Sequence, residues 1–380
     1  MHTLRIIYDG WPLVRQPLGP AALHLLDLLA YLPSEVEPVV ALPAPPPGWL
    51  KDTPTHVHST PDTNFARLEW EQLRLPQLAR ALDASLLHLT TPAAPLFGQP
   101  VSVISPGSIN DLHWKGEHPA LKEPKPLNVR LRESLAHGGL SRVRGIFWPA
   151  GLPQPDLPAR IFSLPQVVHP SFIPTPGPGG EIRDDNSPSA GGGLQTVDLP
   201  ETYVLYHGPT SAYWLERTLQ AWSWAASSIG EYYPMLLLGL DRQARGTLAG
   251  LEAKFNVSGS VRALPSLSPE DIPALYRGCS ALFHPTPLSP WGGPVNSALA
   301  CGKPVVATDS TLADALVGPA AYLAPLDDAR ALGAALITVL VEEEVAEKLS
   351  LAAQQQVAGW HSSAFGQELL AAYQEILSAP

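Results

Sequence analysis

The sequence predicts two doubly wound α/β domains of Rossmann-like type that face each other across a cleft. Three observations carry that prediction. A chain of 380 residues exceeds what one ordinary core encloses. Its second half alternates short apolar runs with segments of helical period, the order that gives a parallel sheet covered by helices on both faces. Between the halves, Pro174 to Pro200 holds eleven Pro or Gly among 27 residues and shows no period, which reads as a mobile, exposed connection. The expected boundaries are an N-terminal domain over 1–173, a linker over 174–200 and a C-terminal domain over 201–360. A final helix over 361–380 is expected to pack back on the N-terminal domain.

The elements follow in chain order. "LRIIYDGWPL" is a strand and turn, "GPAALHLLDLLAYLP" has apolar residues at helical spacing, and "VEPVVALP" is a second strand. "ARLEWEQLRLPQLARALDA" is an amphipathic helix in which Pro76 should cause a kink or a break. "SLLHLTTPAAP" and "VSVIS" are short buried strands, and "NVRLRESLAHGGL" is a helix ended by glycine. Beyond the linker, strand "YVLYHG" precedes a helix from about Ala212 to Ser228, and "PMLLLGL" precedes a helix over Arg242 to Phe255. Then come strand "SVRALP", helix "PEDIPALYRGC", strand "ALFHP", helix "GPVNSALACG", strands "PVVATD" and "AAYLAP", and one long helix from Asp327.

Composition narrows the function. A net charge of -11 argues against nucleic acid as the principal partner, which would need clustered Lys and Arg. Two cysteines, Cys279 and Cys301, make neither a disulfide framework nor a metal pattern, and their apolar settings suggest buried thiols in a reducing compartment. The start "MHTLRIIYDG" lacks the layout of a signal peptide, and the longest late apolar run, Ala331 to Val341, is too short to span a bilayer. The expected location is cytoplasmic, with no transmembrane segment; peripheral contact with a membrane stays open.

The most informative stretch is "SPWGGPVNSALACGKPVVATD", Ser289 to Asp309. Gly292 and Gly293 permit a tight turn and close backbone approach, and Pro294 suits the first helical position. A helix starting there would point free amides outward, a setting suited to a diphosphate, although an ordinary crossover has the same pattern. Trp291 in that loop is a candidate for stacking on a ligand, whereas Trp214, Trp222 and Trp224 read as helix packing. "HVH" (His56 to His58) offers two metal ligands but no third, and Asp184 with Asp185 is a weak metal loop. No metal and no cofactor are expected. "NVS" at Asn256 matches a glycosylation acceptor by chance.

Together these residues resemble the retaining GT-B glycosyltransferases of the large group-one class, family four. Their donor segment reads E-G-F-G-x-P-x-x-E-A-x-A-C-G-x-P-V-V-A, which Ser289 to Asp309 resembles. "IIYDGWPLVRQPLG", ending at Gly19, looks like the family's opening strand and glycine loop on the acceptor side. "RLEWEQLRLPQLARAL", "VVHPSFIP" (as the strand before the linker), "YVLYHG" and "SPEDIPALYRGCSALFHPT" extend the likeness over most of the chain. The resemblance implies a nucleotide-sugar donor, a UDP- or GDP-hexose, held by the C-terminal domain at Gly208, Ser289, Trp291, Gly292, Gly293, Pro294, Val295, Asn296 and Ser297. It implies a glycan or lipid-linked acceptor on the N-terminal domain, and no catalytic metal.

The departures from that pattern fall on the chemistry. The family's two glutamates land on Ser289 and Ser297, which bring no charge and a shorter reach. Its Arg and Lys after the first strand of the C-terminal domain are missing from "GPTSAYWLE", where the next cation is Arg217. Its H-D-L histidine is replaced by Asn110, with Asp111 and Leu112 kept, which leaves Asn110 and Asp111 as the catalytic candidates. Lost donors to a leaving diphosphate cost about 3–4 kcal/mol each. Two readings result. One is an active hexosyltransferase that recruits Lys303, Arg217 or Arg15 to the phosphates. The other is a degenerate homologue that binds a glycan, a nucleotide or a partner transferase. A generic small-ligand binder of the same fold is a weaker third.

Overall fold

A computed structural model describes residues 3–50, 53–96, 101–107, 125–157, 159–173, 197–360 and 364–379. The chain forms two compact units. The first comprises 1–169, 289–293 and 359–380, and the second comprises 170–288 and 294–358.

The first unit runs β1 (Leu4–Asp9), α1 (Trp11–Arg15), α2 (Pro20–Ala30), β2 (Val36–Leu42), β3 (Thr55–Val57), α3 (Asn64–Glu69), α4 (Leu75–Ala81), β4 (Leu86–Leu89), β5 (Ser102–Ile104), α5 (Leu127–Gly139), β6 (Gly145–Pro149) and β7 (Ile161–Leu164). Its sheet has the order β3-β2-β1-β4-β5-β6-β7. Every pairing is parallel, with Leu4 opposite Val36 and Ile6 opposite Leu86. A parallel sheet is covered on both faces, and Ile6, Ile7 and Tyr8 are accordingly all buried although they point alternately up and down. Strands β6 and β7 have no counterpart in the sequence reading. Conversely "VVHPSFIP", read as a strand, is irregular chain and a short 3₁₀ turn, Pro170–Phe172.

The α-helical bonding pattern is interrupted just before Pro76. Between α3 and α4 the chain makes a π turn, Trp70–Arg74, and helical backbone continues through Glu69, Arg74 and Leu75. The Leu75 amide bonds back to the Trp70 carbonyl, one residue further than in an α-helix. Pro76 sits at the start of the next segment, where its missing N–H is not required.

The second unit runs β8 (Val204–His207), α6 (Ala212–Ile229), β9 (Met235–Leu238), α7 (Arg242–Phe255), β10 (Val261–Ala263), α8 (Ile272–Gly278), β11 (Ala281–His284), α9 (Pro294–Ala300), β12 (Val305–Thr308), α10 (Thr311–Val317), β13 (Ala321–Ala324), α11 (Ala329–Val341) and α12 (Glu343–Val357). The sheet order is β10-β9-β8-β11-β12-β13, again parallel throughout. Ser211, Asp241, Ser310 and Asp328 cap α6, α7, α10 and α11 with side-chain oxygens. Asn256 ends α7 in the left-handed conformation at φ 54°, a structural reason for asparagine in "NVS". The single long helix expected from Asp327 is two, because Glu342 takes extended backbone between α11 and α12. Trp214 and Trp222 are buried in α6, while Trp224 is exposed and carries Arg330 5.6 Å from its ring.

The last helix, α13 (Ala364–Ser378), returns to the first unit, where Phe365, Leu369, Tyr373 and Ile376 enter the core. Of the stretch read as a linker, 174–196 lies outside the described residues.

Candidate functional site

In an open parallel sheet, ligands bind beyond the C-terminal strand ends where the strand order reverses. In the second unit that point lies between β8 and β11, since β9 and β10 extend one way and β12 and β13 the other. Gly208 follows β8 there. Tyr206 Oη donates 2.6 Å to the Pro209 carbonyl and braces the turn. A polar group then lines the strand ends. His207 Nδ1 and Tyr276 Oη are 2.7 Å apart, and His284 Nδ1 lies 3.1 Å from the His207 carbonyl. His284 Nε2 lies 3.0 Å from Thr286 Oγ1 and 3.4 Å from the Pro287 carbonyl, so both ring nitrogens are engaged. Thr308 Oγ1 donates to the Thr286 carbonyl at 3.0 Å. Burial pushes His284 down to about 4, so the ring is neutral at neutral pH.

The helix α9 starts on this C-terminal edge and carries Pro294, Val295, Asn296 and Ser297 in its first turn, all buried. Asn296 is only 1% exposed, and neither its Oδ1 nor its Nδ2 has a hydrogen-bond partner among the described residues. A buried carboxamide left so costs about 1–3 kcal/mol for each unmet group unless a ligand or water meets it.

The residues just before α9 belong to the first unit. Trp291 is fully buried in that unit's core, stacked on His24 with ring centroids 4.8 Å apart, and its Nε1 donates 3.1 Å to the Phe147 carbonyl. The expectation that Trp291 stacks on a ligand is therefore corrected: both its polar atom and its ring are spent on packing. Gln166 Nε2 donates to the Pro290 carbonyl at 3.0 Å and fastens the same loop. Gly292 takes φ +57°, and a Cβ there would lie 2.3 Å from the His24 amide nitrogen. The glycine thus serves close approach to α2, whose start at Gly19 and Pro20 is the other predicted loop. Ser289 and Gly293 complete this five-residue segment, and Ser289 is buried.

Of the cations considered for the phosphates, Lys303 stands just before β12 beside Cys279 and Ser280, which precede β11. That is the N-terminal end of the sheet, opposite the crevice, so Lys303 is ruled out. Arg217 lies in α6 with its guanidinium 5.6 Å from the Tyr213 ring. Asn110 and Asp111 lie outside the described residues. Both cysteines are free and buried, and burial pushes each thiol up to about 12. Among the described residues no group of three or more His, Cys, Asp or Glu is placed to hold a metal ion.

Comparison with known proteins shows what the chain is similar to. Residues 227–356, which include most of this crevice and α9, match the family model described as glycosyl transferases group 1. Sucrose-phosphate synthase from Thermosynechococcus elongatus superposes with a TM-score of 0.69 at 17% identity, covering 99% of this chain and 100% of that one. Anabaena HepE, solved with UDP and glucose, gives 0.65 at 17% identity, covering 98% and 100%. This chain has the GT-B fold. Among curated relatives of this GT-B protein, O-antigen chain mannosyltransferase B of Escherichia coli is 28% identical over 168 residues, 43% of this chain and 44% of that one. D-inositol 3-phosphate glycosyltransferase of Salinispora arenicola is 42% identical over 69 residues, 18% of this chain and 15% of that one. The matched stretches thus span less than half of either curated relative. No helix among the described residues of the GT-B chain is long and apolar enough to cross a membrane.

The polar residues His207, His284, Thr286 and Thr308 were not picked out from sequence. His207, His284 and Thr308 each end a strand and Thr286 follows β11 by two residues, so only the strand order brings them together.

Proposed function

We propose that the protein transfers a hexose from a nucleotide sugar, a UDP- or GDP-hexose, to a glycan or lipid-linked acceptor, with retention of anomeric configuration. The observation that carries this reading is the unpartnered, buried carboxamide of Asn296 in the first turn of α9, inside the matched family domain. A carboxamide offers both donors and an acceptor, the complement of a sugar hydroxyl or a ribose. The UDP complex of HepE, on the same fold, supports a uridine nucleotide as the first candidate.

In this reading Gly208 and the backbone of Pro294, Val295, Asn296 and Ser297 surround the diphosphate and sugar, with Ser289 and Gly293 in the adjoining loop. The anomeric C–O bond to the leaving phosphate breaks while the acceptor oxygen bonds to the same face. The acceptor's proton passes to a phosphate oxygen of the donor. Asp111 orients the acceptor, with Asn110 beside it.

A second reading, a degenerate homologue that binds a nucleotide or glycan without turnover, draws on the serines at both glutamate positions and on the uncharged turn after β8. Release of nucleotide from UDP-glucose, GDP-mannose and related donors, measured with mixed glycan acceptors, separates the two. Turnover that falls at least tenfold in Asn296→Leu supports transfer. Tight nucleotide binding without turnover of any donor favours the degenerate reading.

A further inference from the structure

The first unit has its own reversal of strand order, between β1 and β4. Helix α1 follows β1 directly and ends at Arg15. The guanidinium of Arg15 lies 5.6 Å from the Trp11 ring centroid and that of Arg67 lies 6.0 Å from it, so one aromatic ring borders two cations. These cations are not equally engaged. Arg67 Nε donates to Glu71 Oε1 at 2.9 Å, and Arg132 Nη1 donates to the same oxygen at 3.1 Å. Asp9 Oδ1 accepts from the Trp11 amide at 3.0 Å and from Trp70 Nε1 at 2.9 Å. Arg15 donates through Nη2 to the Thr60 carbonyl at 2.6 Å, but its buried Nε has no partner among the described residues. Three guanidinium groups against two carboxylates leave this cluster at +1 when both acids are ionised, in a chain whose formal charge is -11.

The other side of the reversal carries Thr90 and Thr91, immediately after β4. Both hydroxyls are buried and unpartnered among the described residues. Unmet hydroxyls at the same edge of the sheet as a guanidinium with a spare donor match a sugar that carries an acidic group. Arginine's fixed fork suits a phosphate or carboxylate, and it keeps its charge at any physiological pH.

We propose that the first unit's crevice binds an acceptor bearing an anionic group, phosphate or carboxylate, with Arg15 holding the charge and Thr90 and Thr91 the hydroxyls. This inference rests on the transferase reading for the word acceptor. The anion site itself stands on the geometry of one unit.

The test titrates the full chain calorimetrically with glucose 6-phosphate, glucuronate, farnesyl phosphate and glucose, with and without saturating UDP. The same series is run on Arg15→Gln and Arg15→Lys, with thermal melts to verify folding. The expected result is at least tenfold tighter binding of the anionic probes than of glucose. Arg15→Gln should lose at least tenfold of that affinity, Arg15→Lys less, and UDP should not displace the probes. A preference for farnesyl phosphate over glucose 6-phosphate assigns the anion to a lipid carrier, and the reverse assigns it to a soluble sugar. If Arg15→Gln fails to fold, loss of affinity in Arg15→Lys together with a fall in affinity as salt rises decides for the site. Equal affinity for glucose and the anions overturns the proposal, as does an unchanged Arg15→Gln or displacement by UDP. Nucleotide binding with no anion binding sinks this proposal and leaves the transferase reading. Arg15-dependent anion binding with no nucleotide binding does the opposite.

Discussion

At Gly292 the backbone takes φ +57°, and the nearest atoms to a would-be Cβ are backbone: the His24 nitrogen at 2.3 Å and the Pro20 carbonyl oxygen at 2.5 Å. Backbone cannot rotate aside as a side chain can, and a non-glycine residue in this conformation is itself strained. Gly292→Ala should therefore destabilise the protein by about 3 kcal/mol or more, read as a lowered urea midpoint. Asp9 behaves in the opposite sense. Burial holds its carboxyl above the ordinary 3.8 despite bonds from Trp70 and Trp11, so the folded state retains a proton that the unfolded state releases. Its contribution to stability is full below 3.8 and is lost as pH rises through its raised folded value. Asp9→Asn keeps an oxygen for the same two donors and should gain stability over wild type at pH 7 but not at pH 3.5, by urea melts at both values. At this scale the sequence was partly legible. The need for glycine at Gly292 followed from the turn. The fate of Trp291 did not, since loop residues have no period to reveal which core receives them.

The helix α13 shows how an element at one end of the chain completes a core begun at the other. Tyr373 Oη lies 3.1 Å from Tyr8 Oη and 2.6 Å from His88 Nδ1, and His88 Nε2 lies 2.7 Å from Ser105 Oγ. The chain of bonds thus ties α13 to β1, β4 and the end of β5. Tyr373→Phe leaves two buried polar atoms short of a partner and should cost about 2–4 kcal/mol. Removal of residues 359–380 would expose the core face now covered by Phe365, Leu369 and Ile376, and should leave the first unit unfolded by circular dichroism. Burial holds His88 down to about 3, against 6.5 for a free imidazole, so the folded state keeps it neutral. That contribution is present above 6.5 and is lost as pH falls toward 3. His88→Gln should then lose less stability than wild type between pH 7 and pH 4.5, by urea melts at the two values. Helical period and caps made most helices legible, and long apolar runs revealed β1 and β8. Strands β6 and β7 escaped notice because "GIFWP" and "IFSL" are short and flanked by irregular, proline-rich chain. The helical stretch around Pro76 was legible, but the π turn just before it was not, since no sequence period marks a widened turn.

On the scale of the molecule, alternation of strand and helix foretold two parallel sheets, and the sheets have the doubly wound order of the GT-B fold. What the linear order concealed is that residues 289–293 fold with the first unit while both flanking segments fold with the second. A contiguous sequence stretch therefore belongs to two units, and Asn296, not Trp291, is left with unmet polar atoms. Of the cations that could replace those of the family pattern, Lys303 lies at the far end of its sheet. The central claim is that the crevice of the second unit still binds a nucleotide without them. Calorimetric titration of the folded chain with UDP, GDP and ADP and their hexose conjugates, repeated on Asn296→Leu, tests it most directly. The account predicts micromolar binding of one nucleotide, weakened at least tenfold by the substitution. Absence of binding across the panel, or binding indifferent to Asn296, would contradict it.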